Sequence, residues 1–239
     1  SYQGELPVLF RNLGNGIFED VTVRSGAGQG ALNNVKWGCG FVDFDNDSHR
    51  DLFLAMGHLQ DLIDQWDTST SYRAHNILLR NMGRGRFANV SAACGLDALA
   101  PRSARGAAFE DFDNDGDVDV VVLNSRQRPT LLKNLLRESG STNHWLQITL
   151  RGVKSNRDAV GARVTVRAGD LVLVDEVHSG RGYQSHWGSR LHLGLGTRGR
   201  VDRIEVHWIG GGVDVLENVE VDRAITITQK DSAPAQTAP

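Results

Sequence analysis

The segment Leu9-Phe10-Arg11-Asn12-Leu13-Gly14-Asn15-Gly16-Ile17-Phe18-Glu19-Asp20-Val21-Thr22 returns without a gap as Leu78-Leu79-Arg80-Asn81-Met82-Gly83-Arg84-Gly85-Arg86-Phe87-Ala88-Asn89-Val90-Ser91. Downstream of each copy a second block is shared, Gly40-Phe41-Val42-Asp43-Phe44-Asp45-Asn46-Asp47 against Ala108-Phe109-Glu110-Asp111-Phe112-Asp113-Asn114-Asp115. Each block runs on into an apolar stretch, Asp51 to Ala55 and Asp119 to Leu123. Such self-similarity constrains the fold strongly, because each unit must be one supersecondary element that buries its apolar face against a neighbour. The unit reads as strand, glycine turn, strand, acidic loop, strand. A third begins at Leu131-Leu132-Lys133-Asn134 and stops.

Composition enters as support. With 27 glycines, five prolines and many short Val/Ile/Leu runs, tight glycine turns between strands are favoured and the class is mostly β. Residues 1–140 are expected to form partial β-propeller-type repeats with calcium loops, an incomplete set because closed propellers use about four to eight blades. Residues 58–67 carry Leu59, Leu62, Ile63 and Trp66 at helical spacing, which predicts a short amphipathic helix inserted between the repeats. From residue 141 to 230 the pattern changes to alternating strands at His144–Leu150, Ala162–Ala168, Leu171–His178, Arg190–Leu193, Val201–Trp208 and Ala224–Thr228, predicting a small β-sandwich or barrel-like domain. The Ala/Pro/Gln/Ser/Thr-rich residues 231–239 are expected to be a disordered tail.

The strongest chemical signal is the pair of loops DFDNDSHRD, Asp43 to Asp51, and DFDNDGDVD, Asp111 to Asp119. Carboxylates stand at loop positions 1, 3, 5 and 9, so Asp43, Asp45, Asp47, Asp51, Asp111, Asp113, Asp115 and Asp119 are the expected ligands, with His49 and Asp117 supplying carbonyls at position 7. Calcium takes six to eight oxygens at about 2.3–2.6 Å, and a short loop with this spacing provides most of them. Asx turns alone account for one such loop but not for the same spacing twice. The EF-hand glutamate is absent, its place being taken by Leu54 and Val122. The ion expected is Ca²⁺, in a structural role.

Other classes find less support. A net charge of -3 provides no basic field for nucleic acid, and no run reaches the eighteen or so apolar residues of a membrane helix. Cys39 and Cys94 lack metal or redox spacing and are expected to be packed thiols. His178, His186, His192 and His207 show no HxH or HExxH pairing; in the alternating strands of His192 and His207, one residue in two faces solvent. Gly180-Arg181-Gly182-Tyr183-Gln184-Ser185 precedes no helix that would cradle phosphate, and Ser185 and Ser189 lie outside a GxSxG elbow. No catalytic centre is read from the sequence.

The block FxDxDxDGxxD preceded by LFRNxGxGxF resembles the FG-GAP or VCBS-type repeat of integrin-like β-propellers, over residues 6–137. Asn143-His144-Trp145-Leu146, Ser155-Asn156-Arg157-Asp158-Ala159-Val160-Gly161-Ala162, Ser179 to Ser185 and Leu193-Gly194-Leu195-Gly196 resemble the ASPIC/UnbV domain of the cartilage acidic protein family. Two departures stand out: Ser48 in place of the loop glycine, and Trp208-Ile209-Gly210-Gly211-Gly212 where a Trp-Pro turn is usual. The resemblance implies calcium on the aspartates named above, extracellular or cell-envelope placement, and a surface or secreted module making protein or glycan contacts, with other chains possible as partners completing the propeller. The rivals are a structural subunit of an envelope assembly, and an enzyme or biosynthetic accessory with its site around Tyr183, His186 and Arg190.

Overall fold

A computed structural model describes residues 1–230; the predicted tail at 231–239 lies outside the described residues. The first copy of the repeat opens with β1 (Phe10–Gly14) and β2 (Ile17–Asp20), an antiparallel hairpin. Its turn places Asn15 at φ 52° and Gly16 at φ 75°, the two left-handed positions that match the twist of the flanking strands. The second copy repeats the device with Arg84 at φ 52° and Gly85 at φ 70°. One turn of helix, α1 (Thr22–Ser25), follows the first hairpin.

Next comes a four-stranded antiparallel meander of β3 (Lys36–Val42), β4 (Asp51–Met56), β5 (Ile77–Asn81) and β6 (Phe87–Asn89). β4 is buried along its whole length. Its alternate residues serve two cores: Leu52, Leu54 and Met56 pack with Ile77, Leu79 and Phe87, while Phe53 and Ala55 pack with Val42, Phe109 and Val120. The second core is shared with a three-stranded sheet, β7 (Ala104–Glu110), β8 (Asp119–Asn124) and β9 (Thr130–Leu132). The two sheets approach closely at Gly38 and Gly40, where an added Cβ would stand 2.7 Å from the Ala107 nitrogen and 2.3 Å from the Phe109 ring. None of the sheets in this half is closed.

The C-terminal strands form two sheets facing each other. β10 (His144–Arg151) lies between β13 (Arg190–Gly196) and β16 (Arg223–Thr228), the last pair parallel. Opposite stand β12 (Leu171–Glu176), β11 (Arg163–Ala168), β14 (Arg200–His207) and β15 (Val213–Glu220), in that order. Leu146, Ile148, Leu191, Leu193 and Leu195 from one sheet meet Val164, Val166, Ile204 and Val206 from the other in a buried core. The arrangement is sandwich-like, in line with the alternating pattern of the sequence.

Several expectations need correction. Residues 58–67 form no amphipathic helix: a single 3-10 turn covers Ile63–Gln65, and of the four stripe residues only Ile63 is buried, while Leu59, Leu62 and Trp66 are exposed. Spacing at i, i+3, i+4 produces a helix only when a surface exists to receive the stripe, and none does here. Cys39 and Cys94 are not packed thiols but free and exposed. β15 was absent from the expected strands; its alternation is diluted by Glu217, Asn218 and Glu220 on an edge of the sheet.

Candidate metal centre

The two acidic loops are the β3–β4 and β7–β8 connections, and their carboxylates fold the backbone round themselves in the same way twice. Asp43 accepts the amides of Asp47 (3.1 Å) and Ser48 (2.8 Å); Asp111 accepts those of Asp115 (3.2 Å) and Gly116 (2.9 Å). At position 9, Asp51 accepts Phe44 N–H (3.1 Å) and Asn81 N–H (2.7 Å), and Asp119 accepts Phe112 N–H (3.2 Å) and Asn134 N–H (2.8 Å). The last aspartate therefore ties each loop to the strand beyond it.

One carboxylate oxygen each from Asp43, Asp45 and Asp51 lies within 4.8 Å of the others, and the same holds for Asp111, Asp113 and Asp115. Two oxygens on one calcium are at most about 5 Å apart, so either set can close on a single ion. The donors are oxygen alone, the chemistry of a hard divalent cation rather than of zinc or copper. Asp47 and His49 stand outside the first cluster, as Asp117 and Asp119 stand outside the second. The side chain of Asp117, expected to contribute only its carbonyl, instead joins Asp115 and Glu138 in a third cluster.

Burial and like charge act together on these carboxylates. Burial, reinforced by Asp47, Asp45 and Asp51, drives the Asp43 carboxyl well above its ordinary range. Burial also raises Asp51 to about 7, against the opposing amides of Asn81 and Phe44, and Asp117 to about 6, against the Arg137 amide. Asp113 goes the other way, held down chiefly by its hydrogen bond with Lys133. Arg80 Nη2 meets Asp45 at 2.6 Å, and Lys133 Nζ meets Asp113 at 2.7 Å. These two bases occupy equivalent repeat positions, each just before the asparagine that binds position 9. That register could have flagged both from sequence.

The backbone differs between loops at position 6. Gly116 has φ 95° and Ser48 has φ 78°. A left-handed L-residue costs roughly 1–2 kcal/mol, part of which glycine returns as unfolded-state entropy. Ser48→Gly is therefore expected to raise the unfolding free energy by about 0.5–1 kcal/mol, measured by urea denaturation; a destabilised variant would show that the Ser48 side chain contributes more than its backbone costs.

What sequence reasoning missed is the cover over the loops. One face of the β13–β10–β16 sheet builds the C-terminal core, and the other lies on the acidic loops. Gln147, fully buried, donates to Asp111 Oδ2 at 2.6 Å. Arg190 Nε donates to Glu110 (2.8 Å), its Nη1 to Asn114 (2.6 Å) and its Nη2 to the Asp111 carbonyl. Asn143 donates to the Asp45 carbonyl at 2.8 Å, and Gly196 N–H to the Asn46 carbonyl at 2.8 Å.

His192 does not face solvent as the alternation implied. It stands between Gln147 Nε2 (3.3 Å) and Asn46 Oδ1 (2.7 Å), and burial pushes its pKa down to about 4. A neutral ring protonated on Nε2 satisfies both contacts, since Asn46 turns its amide to the Gly116 carbonyl at 3.0 Å. Asn46 thus joins the first loop, the second loop and the C-terminal sheet. Gly194 allows the close approach: a Cβ there would meet Asp43 Oδ2 at 2.0 Å.

In a comparison with known proteins, residues 152–234 match the family model described as ASPIC and UnbV. The chain is also similar to Cartilage acidic protein 1. The Mus musculus protein is 26% identical over 174 residues, which are 71% of this chain and 25% of that protein. The Homo sapiens protein is 25% identical over 174 residues, 71% of this chain and 24% of that protein. The chain spans about a quarter of the length of these curated relatives. Among the described residues no helix is long and apolar enough to cross a membrane.

Proposed function

We propose that this chain is a calcium-stabilised module of a secreted or cell-surface protein, with structural Ca²⁺ in each acidic loop and protein or glycan contacts as its business. The observation that carries the reading is the recurrence in both loops of an oxygen-only carboxylate cluster, with positions 1 and 3 common to the two, a third member at position 9 in the first loop and at position 5 in the second, and the same backbone hydrogen bonds onto the position 1 aspartate. Asp43, Asp45 and Asp51 would hold one ion and Asp111, Asp113 and Asp115 the other. The cation would offset charges that burial otherwise makes costly. Similarity to Cartilage acidic protein 1 supports the extracellular placement.

The repeat sheets are read as successive propeller-type blades: β1–β2 as the closing half of one, β3–β6 as a whole one, β7–β9 as most of a third. The hairpin β1–β2 leaves Phe10, Leu13, Ile17 and Phe18 more than half exposed, which also supports a place in a larger structural assembly where other strands cover that edge. A binding role is favoured over catalysis by the way the C-terminal candidates are used. Arg190 is committed to the second loop, His186 Nδ1 accepts the Gly180 amide at 2.8 Å, and Ser185 Oγ donates to the Arg181 carbonyl at 3.0 Å.

Calorimetric titration with calcium chloride at pH 7.5 and pH 5.5 tests the reading. Binding is expected at the higher pH and about tenfold weaker at the lower, because the raised carboxyls of Asp43 and Asp51 must lose protons to bind. In chelator the sign reverses. Carboxyls raised in the folded state favour folding most below the ordinary carboxylate range, and that contribution is lost as pH climbs towards about 7. Metal-free stability in urea should accordingly be higher at pH 5 than at pH 7.5. No heat of binding at pH 7.5, with no metal by elemental analysis, would reduce the loops to turns.

A further inference from the structure

We propose that Asp115, Asp117 and Glu138 form a further divalent-cation position beside the second acidic loop, one that the first loop does not possess. An oxygen from each of the three lies within 4.8 Å of the other two. Three carboxylates alone would not make a site; the state of Asp117 adds the independent observation. Its side chain belongs to a residue with no exposed surface. Oδ2 accepts the Arg137 amide at 2.7 Å, while Oδ1 is buried with no hydrogen-bond partner. Asp115 Oδ2 is buried and makes no hydrogen bond, its charge facing only the shared Lys133 ammonium at 3.4 Å. Leaving a buried carboxylate oxygen such as Asp117 Oδ1 unpaired is expensive, and a bound cation is one of the few partners that satisfies several carboxylates at once.

The positive charges nearby do not balance this cluster. Lys133 Nζ lies closest to Asp113 at 2.7 Å, with Glu138 at 3.3 Å and Asp115 at 3.4 Å, so one ammonium faces several carboxylates. The Arg137 guanidinium pairs with Asp222 at 2.8 Å. A donor set of carboxylate oxygen alone selects a hard ion of the calcium class. The repeat supplies an internal control: in its register His49 stands at the place of Asp117 and Gly85 at that of Glu138. The position is therefore specific to the second loop.

Its location implies what it does. Glu138 lies on the segment that leads from β9 into β10, next to Arg137, whose partner Asp222 also holds His144 Nδ1 at 2.6 Å. A cation here pins that connecting segment to the second loop. The proposal rests on the loops being cation sites, because Asp115 is common to both positions, and the experiment separates the two.

Equilibrium dialysis of the full chain against radioactive calcium at pH 7.5 is compared for the wild type, Glu138→Gln and Asp117→Asn. Glu138 is exposed, so its substitution leaves folding intact. Glu138→Gln is expected to remove one equivalent of bound calcium, or to weaken one phase by about tenfold, with partial rescue by Glu138→Asp. Lys133→Met should tighten the same phase by a few-fold, since a competing cation is removed. Wild-type binding that neither Glu138→Gln nor Asp117→Asn alters overturns this position and leaves the loop sites standing. Lys133→Met lowering stability equally with calcium and with chelator, at unchanged stoichiometry, identifies Lys133 as the resident counter-ion and also overturns it. A wild-type chain that binds no calcium overturns both readings.

Discussion

Gly116→Ala is expected to lower the unfolding free energy by about 2–5 kcal/mol and to weaken the hold of the C-terminal sheet on the second loop. Two separate costs fall on that one methyl group. Gly116 sits at φ 95°, where an L-residue is strained by roughly 1–2 kcal/mol. Its Cβ would also stand 2.0 Å from Trp145 Nε1 and 2.1 Å from Cε2, inside the indole of a residue that is only 6% exposed. Overpacking of that kind costs about 1–3 kcal/mol in a well-packed interior. The backbone of the loop and the strand β10 must separate, which endangers the bond from Gln147 to Asp111 two residues further along. Urea denaturation followed by tryptophan fluorescence measures it. A loss below about 1 kcal/mol would mean that Trp145 swings aside freely and that the contact between loop and sheet is loose.

Thermal unfolding should respond to calcium even more strongly. A ligand at a hundredfold excess over its dissociation constant, binding only the folded chain, adds about 2.7 kcal/mol per site. Two independent loop sites would add about 5 kcal/mol, which for a chain of this size corresponds to roughly 10–20 °C in Tm. The loops lie under the C-terminal sheet, so their unfolding cannot be local, and the shift should appear in the main transition. Magnesium should give a smaller shift, since its tight octahedral shell fits a carbonyl-and-carboxylate loop less well. Equal melting temperatures in calcium and in chelator would remove the structural role assigned to the ion.

Much of the strand pattern was legible because it is local. Alternation in Arg163–Ala168 and in Arg200–His207 is read directly from neighbouring residues, and the Asn15-Gly16 turn announces its own geometry. The acidic loops were legible for the same reason: the hydrogen bonds from Asp43 to Ser48 and from Asp111 to Gly116 span five residues. What escaped depends on distant pairs. Asn46 and His192 are 146 positions apart, and Arg190 and Glu110 are 80. Nothing in the neighbourhood of His192 distinguishes a strand residue facing water from one facing another part of the chain. The stripe from Leu59 to Trp66 failed in the opposite sense, since its period was correct for a helix but no partner surface receives it.

The double use of the β13–β10–β16 sheet bears on how this chain can be divided. A cut near residue 141, where the sequence pattern changes, looks like a natural boundary. Such a cut would bare Asp43 and Asp111 on one fragment and strand Gln147, Trp145 and Arg190 in water on the other, each having lost the partner that justified its burial. Neither piece is a finished object. The portion that keeps the buried polar groups satisfied spans both halves and reaches back ahead of the first acidic loop, where the buried Lys36 ammonium is held by the carbonyls of Tyr2, Glu5 and Ala31, and recombinant fragments meant to isolate one half should be prepared with the other attached.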